Sequence, residues 1–133
     1  MRGRSSLLAL IFALAGCSMK ATYPTKCDLI LSGWMTPADA RGDLMLWNRV
    51  ILRNDGSLRW NGFPVSESVI AQLAHQATTL NPRPITILEI DAGVDCGRVR
   101  VIRNLIDQQA KCQEIPGRLC GEGKGFEPYP SSR

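Results

Sequence analysis

The stretch DGSLRWNGFPVSESVI, residues 55–70, carries two tight turns, a short strand and a helix start. Its Asp-Gly and Asn-Gly pairs tolerate the positive φ that tight hairpin turns require. Between them, Leu58 and Trp60 alternate with polar residues, which is typical of a half-buried strand. Ser66 is a preferred N-cap residue, and apolar residues follow it at three- and four-residue spacing. The stretch therefore predicts a hairpin that leads into a helix over residues 67–80.

The flanking segments complete a small α+β pattern. Upstream, LMLWNRVILR at 44–53 alternates around β-branched residues and predicts another half-buried strand. Downstream, ITILEI at 85–90 has the apolar density of a central strand. Asp95 then caps a second helix, whose solvent side is predicted to carry Arg98, Arg100, Arg103, Asp107 and Lys111. This order predicts an α+β fold, a small mixed β-sheet with two helices packed on one face.

The first sixteen residues are typical of an export signal rather than of the folded domain. MRGR supplies positive charge, and LLALIFALAG as a helix reaches only about 15 Å, half the hydrocarbon thickness of a bilayer. LAGC at 14–17 resembles the bacterial lipobox, which implies a lipid on Cys17 and cleavage before it. The alternative is a simple secretory signal cut near Ala15 or Gly16. Ser18, rather than Asp, after Cys17 favours the outer over the inner membrane.

The charge balance demands no nucleic-acid partner. The chain has a formal net charge of +4, and losing Arg2 and Arg4 with the signal leaves 14 basic and 12 acidic residues, a charge of +2. The basic character is therefore partly a property of the signal.

Four cysteines follow Cys17, and an even set in an exported chain predicts disulfides, with three possible connectivities. Cys96 and Cys112 lie at opposite ends of the second predicted helix, about 24 Å apart, beyond the roughly 7 Å that a bridge allows. We therefore favour Cys27–Cys96 with Cys112–Cys120, and the crossed pairing stays open. A metal site is disfavoured because no pair has CxxC spacing.

The sequence does not show a combination of residues that is typical of a catalytic site. His75, the only histidine, is predicted to turn away from the apolar face of its helix. Glu89, Asp91 and Asp95 form the only acid cluster, without His or Lys partners, and Asp95 is assigned as a cap. GEGKG at 121–125 lacks the strand and helix context of a phosphate-binding loop. We predict no enzyme, no cofactor and no metal site.

Two segments, DGSLRWNGFPVSESVIAQL and NPRPITILEIDAGVDCGRVRVIRNLI, resemble the periplasmic domain of the ExbD and TolR proteins. The likeness runs from Trp47 to Ile106 and implies a small sheet with two helices. It also implies a domain that dimerises and contacts partner proteins or peptidoglycan, beside a proton channel of the inner membrane. The chain departs from the family because residues 7–16 hold no acid for proton coupling. The family's last strand is also not evident, and we expect a Cys112–Cys120 disulfide to stand in its place.

The resemblance implies a non-catalytic envelope lipoprotein of a Gram-negative bacterium, an ExbD-like accessory or binding module of a biopolymer transport system of the TonB or Tol type. Implied partners are the membrane through the lipid anchor, an ExbB- or TolQ-like channel subunit, a TonB-like protein, peptidoglycan or a second copy of the chain. The alternative is a stand-alone peptidoglycan-binding or structural lipoprotein, and a periplasmic enzyme is the remote one. The predicted location is the periplasmic side of the envelope, or the soluble periplasm if no lipid is attached.

The predicted organisation is a signal peptide (1–16), a tether and N-terminal segment (17–44), an ExbD-like domain (45–121) and a flexible tail (122–133). Within the domain, the predicted interaction site is the sheet edge at the hairpin tip, formed by Trp60, Asn61 and Gly62. Edge strands recruit other chains through backbone hydrogen bonds. The alternative for Trp60 is a plain core residue.

Overall fold

The computed structural model describes residues 27–40 and 46–126 of the chain. Seven regular elements follow one another: β1 (Trp47–Leu52), β2 (Leu58–Trp60), β3 (Phe63–Val65), α1 (Glu67–Ala77), β4 (Ile85–Ile90), α2 (Cys96–Gln109) and β5 (Cys120–Glu122). A 3₁₀ turn at Cys112–Glu114 separates α2 from β5. The predicted α+β fold is confirmed. The signal segment and Cys17 lie outside the described residues.

The five strands form one mixed sheet in the order β3-β2-β1-β4-β5. Strands β1, β2 and β3 are antiparallel neighbours, whereas β4 pairs in parallel with both β1 and β5. Parallel neighbours need a crossover connection, and α1 and α2 supply the two crossovers here. Among the described residues, no helix combines the length and the apolar character needed to cross a bilayer.

Both helices begin at the residues that the sequence indicated. The Ser66 hydroxyl accepts a hydrogen bond from the backbone N–H of Val69 at 3.3 Å, and the Asp95 carboxylate accepts one from the N–H of Arg98 at 3.1 Å. These caps satisfy backbone donors that have no partner inside the helix. The first helix ends at Ala77, three residues before the predicted end, and Leu80 is exposed.

The main core lies between the helices and one face of the sheet. Side chains that alternate along β1 and β4 meet the apolar stripes of both helices, and the buried set includes Val50, Leu52, Leu88, Ile90, Ile70, Val99, Ile102 and Ile106. A second, smaller cluster covers part of the opposite face, where Ile85 and Ile87 pack with Met35 and Phe126. Residues from both ends of the described chain therefore complete the domain.

The predicted flexible tail starts too early. Glu122 is the last residue of β5, and Phe126 is buried on the second face of the sheet. The ring of Phe126 meets that of Trp47 edge-to-face with centroids 5.2 Å apart, and Arg49 Nη2 donates to the Phe126 carbonyl at 2.8 Å. The boundary at 122 is therefore wrong, because the domain continues at least to Phe126. Residues 127–133 lie outside the described residues.

Gly121 makes room for this covering layer. A Cβ atom at this position would lie 2.8 Å from Met35 Cγ and 2.9 Å from Phe126 Cζ, closer than packed atoms approach. Glycine thus allows both side chains to rest directly on the backbone of β5.

The hairpin between β2 and β3 has a two-residue turn. Asn61 has a φ of 48° and Gly62 a φ of 88°, the pair of positive values that defines a type I′ turn. The preceding turn, between β1 and β2, is stabilised by Asp55, whose carboxylate accepts hydrogen bonds from the side chain and backbone of Ser57. These bonds hold the pKa of Asp55 below its usual value. Both predicted turns are therefore present, but the three-residue strand β3 was not predicted.

Candidate interaction surfaces

Residues 27–35, which we name the strap, run along α2 toward β5. At one end, the Cys27–Cys96 disulfide attaches the strap to the first residue of α2, with Cα atoms 5.1 Å apart. Further along, the indole N–H of Trp34 donates to Asp107 Oδ1 at 2.8 Å, and Trp34 is buried in the main core. The strap is therefore part of the folded domain, although the sequence placed it with the tether.

The end of the strap covers the β5 edge of the sheet. The N–H of Met35 donates to the Cys120 carbonyl at 2.9 Å, and the N–H of Glu122 donates to the Met35 carbonyl at 3.0 Å. This single parallel bridge occupies the backbone groups that β5 turns away from β4. The edge is thus closed to further strands at these positions.

A buried ion pair lies beneath the strap. Arg103 on α2 forms a bidentate pair with Glu122, with Nε–Oε1 and Nη2–Oε2 distances of 2.7 Å each. The two side chains are only 5% and 0% exposed. The third guanidinium donor, Nη1, bonds to the Asp28 carbonyl in the strap at 3.0 Å. One arginine therefore links α2, β5 and the strap.

This finding corrects the prediction that Arg103 lies on the solvent side of α2. Arg103 follows Val99 by four residues and precedes Ile106 by three, so it lies on the apolar stripe itself. That spacing was a usable signal, which the charge of the side chain obscured. Of the neighbouring arginines, Arg98 bonds to Glu67 at 2.6 Å, and Arg100 is solvent-exposed.

The predicted interaction tip is already engaged with β1. Asn61 Oδ1 accepts from the N–H of Arg49 at 2.8 Å, and the N–H of Asn61 donates to the Arg49 carbonyl at 2.9 Å. Trp60 is half-buried against the main core, and Gly62 is exposed. The tip therefore has few backbone groups free to pair with another chain.

The edge of the sheet on this side is β3, not β2. Trp60 and Phe63 flank a two-residue turn, so their backbones are hydrogen-bonded to each other. Backbone groups alternate in direction along a strand, and those of the next residue, Pro64, therefore point away from β2. Proline has no N–H, so β3 offers an incoming strand a carbonyl but no donor. Phe63, by contrast, presents an apolar side chain that is 74% exposed. Without that donor, recognition at this edge depends mainly on side chains.

We expect Pro64→Thr to increase self-association about tenfold, because one added donor on each of two chains contributes roughly 1–3 kcal/mol in total. Threonine favours strands and supplies the outward N–H that proline lacks. Sedimentation velocity over a concentration series measures the change.

Pro116→Thr is the matched control, since Pro116 is exposed but lies outside the sheet. Unchanged association of the Pro64 variant over the whole series would show that proline does not protect this edge.

The residues considered for catalysis stay apart from one another. His75 is exposed on α1, as predicted, and Asp95 serves as the cap of α2. Glu89 pairs with Arg49 at 3.2 Å on the second face of the sheet. Within 27–40 and 46–126, no three His, Cys, Asp or Glu side chains are grouped to hold a metal ion. Of the GEGKG segment, Gly121 and Glu122 belong to β5.

All four cysteines of the described residues form disulfides. Cys27 pairs with Cys96, and Cys112 pairs with Cys120 at a Cα separation of 5.4 Å, which are the pairs that the sequence favoured. The expectation that the second bridge stands in for a missing last strand is wrong. Strand β5 begins at Cys120 and pairs with β4, so the bridge and the strand reinforce the same end of the domain.

Neither the models of known protein families nor the curated protein sequences match this chain. The resemblance to the ExbD and TolR proteins stays a prediction.

Proposed function

We propose that this chain is a non-catalytic module of the bacterial cell envelope, exported and held at a membrane by a lipid on Cys17. The observation that carries the proposal is that four of the five cysteines form two disulfides, which leaves Cys17 for another role. The four cysteines after Cys17 pair with one another, so none of them is a partner for Cys17. Disulfides persist in oxidising compartments such as the periplasm. Cys17 itself ends the LAGC sequence after an apolar run.

Within the envelope, the module acts as an ExbD-like accessory or binding partner of a TonB- or Tol-type transport complex. The resemblance between Trp47 and Ile106 supports this role, and the channel subunit or the TonB-like protein is the partner that it implies. Because Pro64 and Met35 restrict both sheet edges, the module recognises its partner through side chains. Phe63, on the exposed hairpin, is the most suitable side chain of this edge.

A stand-alone lipoprotein that binds peptidoglycan or has a structural role is the second candidate. Residues 7–16 contain no acidic residue. A chain without this carboxylate does not itself couple protons, and a role independent of the channel is consistent with that.

Intact mass spectrometry of the membrane-extracted protein tests the proposal. We expect a mature N-terminus at Cys17 carrying the mass of the lipid, and four thiols that react with an alkylating reagent only after reduction. An unlipidated chain that begins after Ala15 or Gly16 contradicts the anchor. Co-purification with a channel subunit then supports the first candidate, and sedimentation with purified peptidoglycan supports the second.

A further inference from the structure

One surface of the domain lies beside the point where the strap begins. Leu29 is 93% exposed, more than any other large apolar side chain among the described residues. The residue before it, Asp28, lies 3.8 Å from Arg100 on α2, and Val101, which follows Arg100, is 48% exposed. We name Leu29, Arg100 and Val101 the strap–α2 surface. A single exposed leucine is ordinary on a protein surface, so the significance of Leu29 depends on where it lies relative to the tether.

The covalent length of the tether restricts that position. Ten residues lead from Cys17 to Cys27, and a chain of this length spans at most about 36 Å. The disulfide fixes Cys27 to Cys96, the first residue of α2. A domain of about 100 residues has a radius of gyration near 13 Å. With a lipid on Cys17, the start of the strap therefore stays within about 36 Å of the bilayer, a distance comparable to the diameter of the domain.

The charges around this surface suit anionic lipid headgroups. The tether, SMKATYPTK at 18–26, contains Lys20 and Lys26 and no acidic residue. Arg100 adds a third cation, 3.8 Å from Asp28, the residue before Leu29. Asp28 is the one acidic residue in 18–35, so the tether, the strap and Arg100 together carry three basic groups and one acidic group. Basic residues close to a membrane are attracted to anionic lipids, and apolar side chains beside them enter the interface.

We propose that the strap–α2 surface docks on the bilayer that holds the lipid anchor, with Leu29 inserted at the level of the headgroups. The inference rests on the proposed lipid at Cys17. Few contacts are sufficient, because a short tether keeps the surface at an effective concentration of order millimolar relative to the membrane. The docked domain directs the opposite sheet edge, with Phe63 and Pro64, away from the docked side and leaves it open to partners.

Photo-crosslinking of the full lipidated chain tests this orientation. The photoreactive residue p-benzoylphenylalanine replaces Leu29 in one sample and Phe63 in the control, in vesicles of phosphatidylethanolamine and phosphatidylglycerol. Phe63 is a matched control because it is apolar and exposed, yet the five-stranded sheet places β3 about 19 Å from β5, the strand on which the strap ends. We expect lipid adducts at position 29 at about five times the yield at position 63, or more, given the preference of apolar side chains for the interface.

Equal yields at the two positions, or adducts at position 29 with protein rather than lipid, overturn the docking. The mass of the N-terminal peptide from the same samples distinguishes failure of the proposed lipid anchor from failure of the proposed docking. A chain without lipid on Cys17 overturns both of them, whereas a lipidated chain with equal yields overturns only the docking.

A second pair of variants tests the role of Leu29 itself. With the photoreactive residue at position 101, Leu29→Glu is expected to lower the lipid adduct yield several-fold, because a carboxylate is repelled by anionic headgroups. Phe63→Glu is expected to leave that yield unchanged. Both replaced side chains are exposed, so the fold tolerates either change. Equal yields from the two variants count against insertion of Leu29.

Discussion

Replacing Arg103 with methionine lowers the free energy of unfolding by about 3–5 kcal/mol, the typical loss when one member of a buried ion pair is removed. The loss is large because Glu122 is fully buried and accepts both of its hydrogen bonds from this one guanidinium. Removal of Arg103 leaves the carboxylate without a partner and frees the carbonyl of Asp28 in the strap. Urea denaturation followed by circular dichroism measures the change.

Two further variants separate the ion pair from the general effects of substitution. Arg100→Met changes an exposed arginine on the same helix and is expected to stay within about 0.5 kcal/mol of the wild type. The double variant Arg103→Met with Glu122→Met removes both charges together and is expected to recover most of the loss. If Arg103→Met is no more destabilising than Arg100→Met, the pair does not hold the strap, α2 and β5 together.

The elements that the sequence predicted well are those specified by neighbouring residues. Asp55-Gly56, Asn61-Gly62, Ser66 and Asp95 each act within a few residues, and each does what its local pattern indicates. The alternation in 47–52 and the apolar density of 85–90 likewise report burial on one or both faces of a sheet.

The missed features depend on residues that are distant in the chain. Glu122 and Phe126 follow a run rich in glycine and proline, which favours a tail, and only their contacts with Arg103, Trp47 and Met35 bury them. The strap has no periodic pattern because one β-bridge, one disulfide and isolated hydrogen bonds hold it in place. Strand β3 contains Pro64, and proline usually argues against a strand except at an edge, where it is found here.

Those long-range contacts also change how the domain can interact. A hairpin tip with free backbone groups would recruit extended peptides, as the sequence suggested. In the structure, Asn61 is hydrogen-bonded to the backbone of Arg49, and Met35 is hydrogen-bonded to the outer side of β5. Pro64 leaves β3 without an outward N–H donor. The sheet is therefore protected at both edges, which reduces edge-to-edge aggregation of the domain.

Loss of the Cys27–Cys96 disulfide, through Cys27→Ser with Cys96→Ser, is expected to lower the free energy of unfolding by about 4 kcal/mol. The bridge joins residues 69 apart in sequence, so its removal returns much conformational freedom to the unfolded chain. Both cysteines are half-buried, and serine at these positions adds little further loss. Denaturation under non-reducing conditions, with alkylation to verify that Cys112–Cys120 stays intact, measures the difference.

Trp34→Phe provides the comparison, because it removes the hydrogen bond to Asp107 and part of the buried indole from the same strap and is expected to lose about 1–2 kcal/mol. The disulfide variant should exceed it about twofold or more if the crosslink acts mainly on the unfolded chain. A loss as small as that of Trp34→Phe would instead mean that noncovalent contacts alone fix the strap. In the same variant, the residues from Cys27 toward Trp34 are held by noncovalent contacts alone, among them the hydrogen bonds of Asp28 and Ser32 and the packing of Ile30 and Leu31 on the main core. The disulfide therefore contributes to the stability of the domain and fixes the residue at which the tether from Cys17 ends.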